Sequence, residues 1–322
     1  MKKIVTLLFV LFISAGIINA QTIEENLQKV GPNYAKLYLQ PLVDALGTNL
    51  NSNYFYSANV PFDKKIPMGF NVGFRLRFMN TFLSSDDQKF NFSYADSFAV
   101  SPGVYTKGTY KVQDAPTVIG EDKEAVGKFY DQNGVYVPGQ DITLIGGVLK
   151  TTSVPFFLPE ITFGTLYGTD ASISFLPSVK VGDVGSISFF GFTIRHNISH
   201  YFPKSPVDIA IQGGYQGMKF TEPDNNDLWK SGNFFINGQV SKTINFFTGY
   251  GALQYENFSS DVSYNYVSSS GTKTPVKVSL EGNNNFRLVL GGTVRAGFFA
   301  FNLDANIGKR FAISSGINFI IL

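Results

Sequence analysis

Residues 70–78 read Phe-Asn-Val-Gly-Phe-Arg-Leu-Arg-Phe, with a large apolar side chain at every even position and Asn, Gly or Arg at every odd one. Successive side chains of a strand point to opposite faces, so this segment has one wholly apolar face and one that carries two arginines. The split recurs. Phe286, Leu288, Leu290 and Val294 oppose Arg287, Gly291, Thr293 and Arg295, and Phe299, Phe301, Leu303, Ala305 and Ile307 oppose Asn302, Asp304 and Asn306. Phe190, Phe192, Ile194 and Ile198 oppose Gly191, Thr193, Arg195, Asn197 and Ser199.

Two all-β architectures accommodate this pattern. A soluble sandwich hides the apolar face, whereas a membrane barrel turns it to lipid and lines its lumen with polar groups and glycine. Three features favour the antiparallel transmembrane β-barrel. Its runs reach the ~9–11 residues of a tilted membrane crossing. Short connections alternate with long ones, and the chain ends inside an apolar strand, 311–322. Strands near 66–82, 158–168, 171–181, 184–202, 207–221, 230–242, 244–258, 284–296, 298–308 and 311–321 make ten. The even number returns both barrel ends to one side, with short turns at Lys242-Thr243, Ala296-Gly297 and Pro203 to Pro206 on the periplasmic side. The 75-residue stretch 83–157 nets −3 and reads as a long external loop or lid. A hairpin hidden there, starting with the alternation Lys89 to Tyr94, would raise the count to twelve.

The N-terminus reads as an export signal over residues 1–20: Lys2 and Lys3, an apolar run from Ile4 to Ile18, then Ala20 before Gln21. This places the mature chain in a bacterial outer membrane, with lipid and the barrel assembly machinery as partners. Residues 21–62 form a separate segment ahead of the barrel, 63–322. Within it Tyr34, Leu37, Tyr38, Pro41, Leu42 and Ala45 recur at helical spacing, with Gly47 where a helix would be capped and Pro41 set to kink or split it. A short helix there fits a lumen plug, a periplasmic adaptor or a simple packing element.

Composition closes off other classes. The absence of cysteine removes disulfides, thiolate sites and lipoprotein anchoring, and two histidines, His196 and His200, cannot build a multi-His metal centre. Lys plus Arg total 26 against 24 Asp plus Glu, too balanced for nucleic acid. No metal, cofactor or catalytic residue is expected, and the chain reads as a non-enzyme. The stretch Arg195 to His200 holds His, Ser and Asn, but both histidines share the outward parity of Phe190 while Ser199 points the other way.

Five of the six arginines, Arg75, Arg77, Arg195, Arg287 and Arg295, fall on the lumen parity, with Arg310 in a turn. They form either a basic ladder selecting anionic solutes or a structural ladder paired with Asp44, Asp208 or Asp304. Three segments, Tyr38–Gly47, Pro155–Gly164 and Gly191–Pro203, resemble a family of exported bacterial barrels without an assigned function. A looser resemblance is to the long-chain fatty-acid transporter barrels, which carry an N-terminal hatch and fourteen strands. The chain lacks their Asn-Pro-Ala-Gly hatch signature and has fewer counted strands. The combination of plug, aromatic-rich walls and long external loops points to passive transport of a small hydrophobic or amphipathic solute. A non-transporting structural or adhesive barrel, meeting a partner through its long loops, is the competing reading.

Overall fold

The computed structural model describes residues 32–60, 68–101, 104–180, 185–202, 204–223, 226–267 and 273–321. The export signal, 1–20, lies outside them. In chain order the elements are a helix α1 (Pro32–Leu50) and strands β1 (Met68–Phe82), β2 (Lys89–Ser101), β3 (Val104–Pro116), β4 (Ala125–Asp131) and β5 (Ile142–Leu144). There follow β6 (Ser153–Leu166), β7 (Thr169–Lys180), β8 (Ser186–Asn197), β9 (Asp208–Thr221) and β10 (Asp227–Ile244). The chain finishes with β11 (Phe247–Val267), β12 (Lys273–Glu281), β13 (Phe286–Ala296), β14 (Phe299–Ile307) and β15 (Phe311–Ile321).

Ten of these strands close an antiparallel barrel. The ring runs β1-β6-β7-β8-β9-β10-β11-β13-β14-β15 and returns to β1, where Arg75 faces Asn318 and Arg77 faces Gly316. These are the ten segments that the alternation predicts, with shifted ends: β11 runs on to Val267, and β8 stops at Asn197 before a short 3-10 turn. The turn between β10 and β11 falls at Asn245–Phe246 rather than at Lys242-Thr243.

The faces follow the parity. Phe190, Phe192, Phe301 and Leu290 are 51%, 44%, 52% and 49% exposed on the outside of the barrel. Arg75, Arg77, Gln212, Gln216, Asn233, Arg287 and Asn302 are buried inside it. A sandwich would show the reverse, with the apolar face covered. On the inner face of β15 stand Ala312, Ser314, Gly316 and Asn318, all small. A Cβ on Gly316 would collide with Asn302 Oδ1 and stand 3.1 Å from Arg75 Nε, so this small wall is what admits the long side chains opposite.

Segment 83–157 differs from the expected loop. It contains a four-stranded antiparallel sheet, β2-β3-β4-β5, separate from the barrel, so the barrel count stays at ten. The stretch 259–283 is likewise ordered: the far half of β11 pairs with β12 as a hairpin standing beyond the barrel rim. Both features, and the end of β1, lie at one end of the barrel, called the upper end below.

Helix α1 sits at this upper end, between the barrel mouth and the four-stranded sheet. Its Tyr34 ring lies 5.2 Å from Phe90 and 5.8 Å from Phe92, and Thr81 of β1 donates to Ala45 O. The helix is continuous through Pro41. Burial of Tyr38 and Leu39 on one side of the proline and Val43 and Ala45 on the other outweighs the lost backbone hydrogen bond. It also continues past Gly47 to Leu50, so Gly47 is not a cap. A Cβ there would stand 2.7 Å from Phe258 Cγ, and the glycine serves close packing against β11. Gly47→Ala, which in an exposed helix would gain up to about 1 kcal/mol, should instead cost about 1–3 kcal/mol. The midpoint of the heat-modifiable gel shift reads the change.

Candidate functional site

After Leu50 the chain leaves the helix and descends inside the barrel. Residues 51–60 form no strand, yet all but Tyr56 and Asn59 are buried. An irregular backbone so placed needs partners for its amides and carbonyls, and the barrel wall supplies them from its inward side chains. Arg77 donates through Nη2 to Ser52 O at 2.6 Å and to Leu50 O at 3.4 Å. Arg75 reaches Asn53 Oδ1 and, at 3.2 Å, Phe55 O. Arg195 donates to Ser57 O at 2.5 Å, and Arg287 to Ser52 Oγ at 2.5 Å and Thr48 O at 3.1 Å. Guanidinium suits this task because its planar fork offers several donors at fixed angles.

The rest of the wall completes the seal. Gln254 donates to Asn51 O at 2.7 Å, Thr293 to Tyr56 O at 2.6 Å and Asn197 to Val60 O at 3.2 Å. Ser241 Oγ accepts from Ala58 N at 2.9 Å. The Tyr54 ring stacks on Phe235 at 3.6 Å, and the Arg77 guanidinium lies 4.5 Å from the same tyrosine ring. The segment thus runs from the upper mouth to the lower end, where β1 begins.

Three wall carboxylates pair with these four arginines, Glu160 serving two of them. Glu160 Oε2 lies 3.3 Å from Arg77 Nη1, and Oε1 lies 3.7 Å from Arg75. Asp170 takes Arg195 in a two-point pair of 3.2 and 2.5 Å, and Glu256 takes Arg287 at 2.5 Å. Glu160, Asp170 and Glu256 are absent from the sequence-based expectation. Two of them are direct register partners of their arginines, Arg75↔Glu160 and Asp170↔Arg195, and Glu256 sits two positions from Gln254, which faces Arg287. Their inward parity is the signal that would have found them.

The other expected site residues fall elsewhere. Arg295 is exposed at the lower end of β13, its Nε donating to Gly297 O. Asp304 is buried among Tyr250, Asn302, Asn306 and Ser314 with no ion pair among the described residues. Asp208 is half-buried in an open recess of about 600 Å³ at the lower end, beside Asn59, Asn197 and Lys242. His196 accepts or shares a proton with Thr169 Oγ1 at 2.8 Å, and Ser199 donates to Asn197 Oδ1 rather than joining an imidazole. Among the described residues no cluster of His, Asp or Glu could hold a metal ion.

Asp44 pairs with Arg310, the arginine of the β14–β15 turn, at 3.1 Å. Arg310 also pairs with Asp87 ahead of β2, so one guanidinium ties helix, barrel rim and upper sheet together. Burial pushes the Asp87 carboxyl up, but hydrogen bonds from Arg310 and Ser84 outweigh it and hold the group below the ordinary carboxylate range. A depressed folded value gives stability that is present above the unfolded value, near pH 4, and lost as pH falls through the folded one. The stability difference between the natural chain and Arg310→Gln should therefore be constant above about pH 5 and shrink below about pH 4, as read by denaturant titration.

Comparison with curated proteins yields no match. Three of the solved structures that align show how low the similarity is. They are OmpT of Vibrio cholerae in its trimer form (11% identity, 79% of this chain and 99% of that one, TM-score 0.26), the β domain of the Bordetella autotransporter BrkA (8%, 79% and 100%, 0.30) and the anion-selective porin of Comamonas acidovorans (8%, 79% and 99%, 0.21). Scores this low say nothing of cargo or mechanism. The match over residues 1–321 is decisive for kinship: the chain belongs to the family of unknown function DUF6588.

Proposed function

We propose that the chain is a bacterial outer-membrane protein, exported through residues 1–20. Its barrel stands in lipid, and its N-terminal segment plugs the lumen and yields to let a small solute pass. The observation that carries this is the arginine ladder. Arg75, Arg77, Arg195 and Arg287 grip the lumen segment by polar contacts that water can replace, while the barrel exterior is apolar and exposed. The upper end, with the long connections and the four-stranded sheet, faces outward, and the short turns face the periplasm.

The expected hydrophobic cargo finds no support. Most aromatic residues of the strands stand on the outside of the wall; Phe235 and Tyr250 turn inward against Tyr54 and Phe55 of the lumen segment, and the lining is otherwise mainly arginine, glutamine and asparagine. A small hydrophilic solute fits this lining, and the role is passive and non-enzymatic. The adhesive reading keeps two observations in its favour: the lumen is filled, and the upper end carries an ordered sheet.

Planar-bilayer recording discriminates the two. The intact chain should open briefly and rarely, and a variant lacking 21–60 should conduct steadily. Absence of flux in both, with the barrel folded by gel shift and circular dichroism, would leave the adhesive role.

A further inference from the structure

The outer face of the four-stranded sheet concentrates positive charge in a segment that is acidic overall. Lys111 of β3 and Lys128 of β4 stand directly opposite each other in the register, both exposed. Like charges facing across a strand pair weaken a sheet. Neither lysine has an ion pair among the described residues. Each ammonium instead lies over a tyrosine ring, Lys111 at 4.8 Å from Tyr130 and Lys128 at 5.7 Å from Tyr136. The two rings are neighbours at 5.9 Å.

The nearby acids Asp131 and Asp141 form no ion pair with either lysine among the described residues. Asp131 accepts from the amides of Asn133 and Val135 at 2.9 and 2.8 Å, and Asp141 accepts from the Tyr136 hydroxyl at 2.8 Å. The last of these bonds fixes the Tyr136 ring beneath Lys128. The other face of the same strands, with Tyr110, Val112 and Phe129, is buried in the core. Nothing in the packing therefore requires two lysines on the outer one.

We infer that this face binds an acidic polysaccharide, whose carboxylates lie between Lys111 and Lys128 and whose sugar rings rest against the tyrosines. A pleated, flat face suits an extended chain better than a small molecule. Tyrosine provides rigid, amphipathic area at low entropy cost, and Ser93 and Thr109, exposed or half-exposed on the same face, provide hydroxyls. Two or three cations are too few to hold a nucleic acid by its phosphates.

The test uses the full chain folded in detergent micelles, so its outcome is independent of membrane orientation. Polygalacturonate is the probe, neutral dextran the sugar control and polyglutamate the charge control. Polygalacturonate should bind and weaken with added salt, while both controls bind at least about tenfold more weakly. Lys111→Ala with Lys128→Ala should lower the affinity by about tenfold or more, and Tyr136→Ala should lower it with the charge intact. The lysine pair is dispensable to the fold, so the double variant should keep its gel shift and unfold no earlier than the natural chain. No binding of polygalacturonate, equal binding of polyglutamate, or unchanged affinity in the double lysine variant would each overturn the assignment.

Discussion

Arg77→Ala should destabilise the folded barrel by about 3–5 kcal/mol, the combined cost of two buried carbonyls left without their donor and of the cavity the side chain leaves. Arg77 is 0% exposed, and its removal leaves Glu160 with Arg75 at 3.7 Å and the Ser174 hydroxyl at 3.3 Å. It also strips the donor from Ser52 O and Leu50 O at the top of the lumen segment. Adding Glu160→Gln should deepen the loss, because the buried Arg75 then loses its carboxylate as well. Urea unfolding in micelles measures the cycle. A loss below about 1 kcal/mol for Arg77→Ala would mean that the ladder does not hold the segment.

Leu290→Arg should cost about 2–4 kcal/mol and reduce assembly in membranes, since the position lies near the middle of β13 on the outer face. Its two neighbours in the register, Gly251 and Ala305, are small and give an arginine nothing to pair with. Leu290→Phe, apolar and of similar reach, is the control and should assemble normally. Equal yield of folded protein for both variants in lipid vesicles would show that this face does not meet hydrocarbon.

The barrel was legible because its alternation is long. Ten segments with one apolar face each predicted ten crossings, and the parity placed Arg75, Arg77, Arg195 and Arg287 inside. The four-stranded sheet escaped notice because the clear alternation in 83–157 lasts only from Lys89 to Tyr94, and acidic, turn-forming residues fill much of the remainder. Strand β12 was hidden for a related reason, since it pairs with the far half of β11 outside the closed ring, where the long inside–outside alternation of the wall is not needed.

Partners were harder to read than faces. Alternation assigns a side chain to inside or outside, but the match of Arg75 to Glu160 and of Arg195 to Asp170 depends on register, which turn lengths and bulges set. Asp304, one of three candidate partners for the arginines, is instead satisfied by amides and hydroxyls. Arg295 has the lumen parity but stands at the strand's end, where the wall no longer encloses it. Arg310 lies in a turn, so no periodicity could mark it, yet it joins Asp44 to Asp87. Gly47 shows the same limit in the helix: local rules read a cap, and the tertiary contact with Phe258 decides.

The central claim is that the N-terminal segment itself closes the lumen, and a reversible lock tests it in the intact chain. Ser57 Oγ and Ser241 Oγ lie 3.4 Å apart across the interface between segment and wall, and the chain has no cysteine of its own. Ser57→Cys with Ser241→Cys therefore introduces a single thiol pair. In planar bilayers the reduced variant should open as the natural chain does, and the oxidised one should stay closed until reductant is added. Equal conductance in the oxidised and reduced states, with the disulfide verified by mass, would contradict the account.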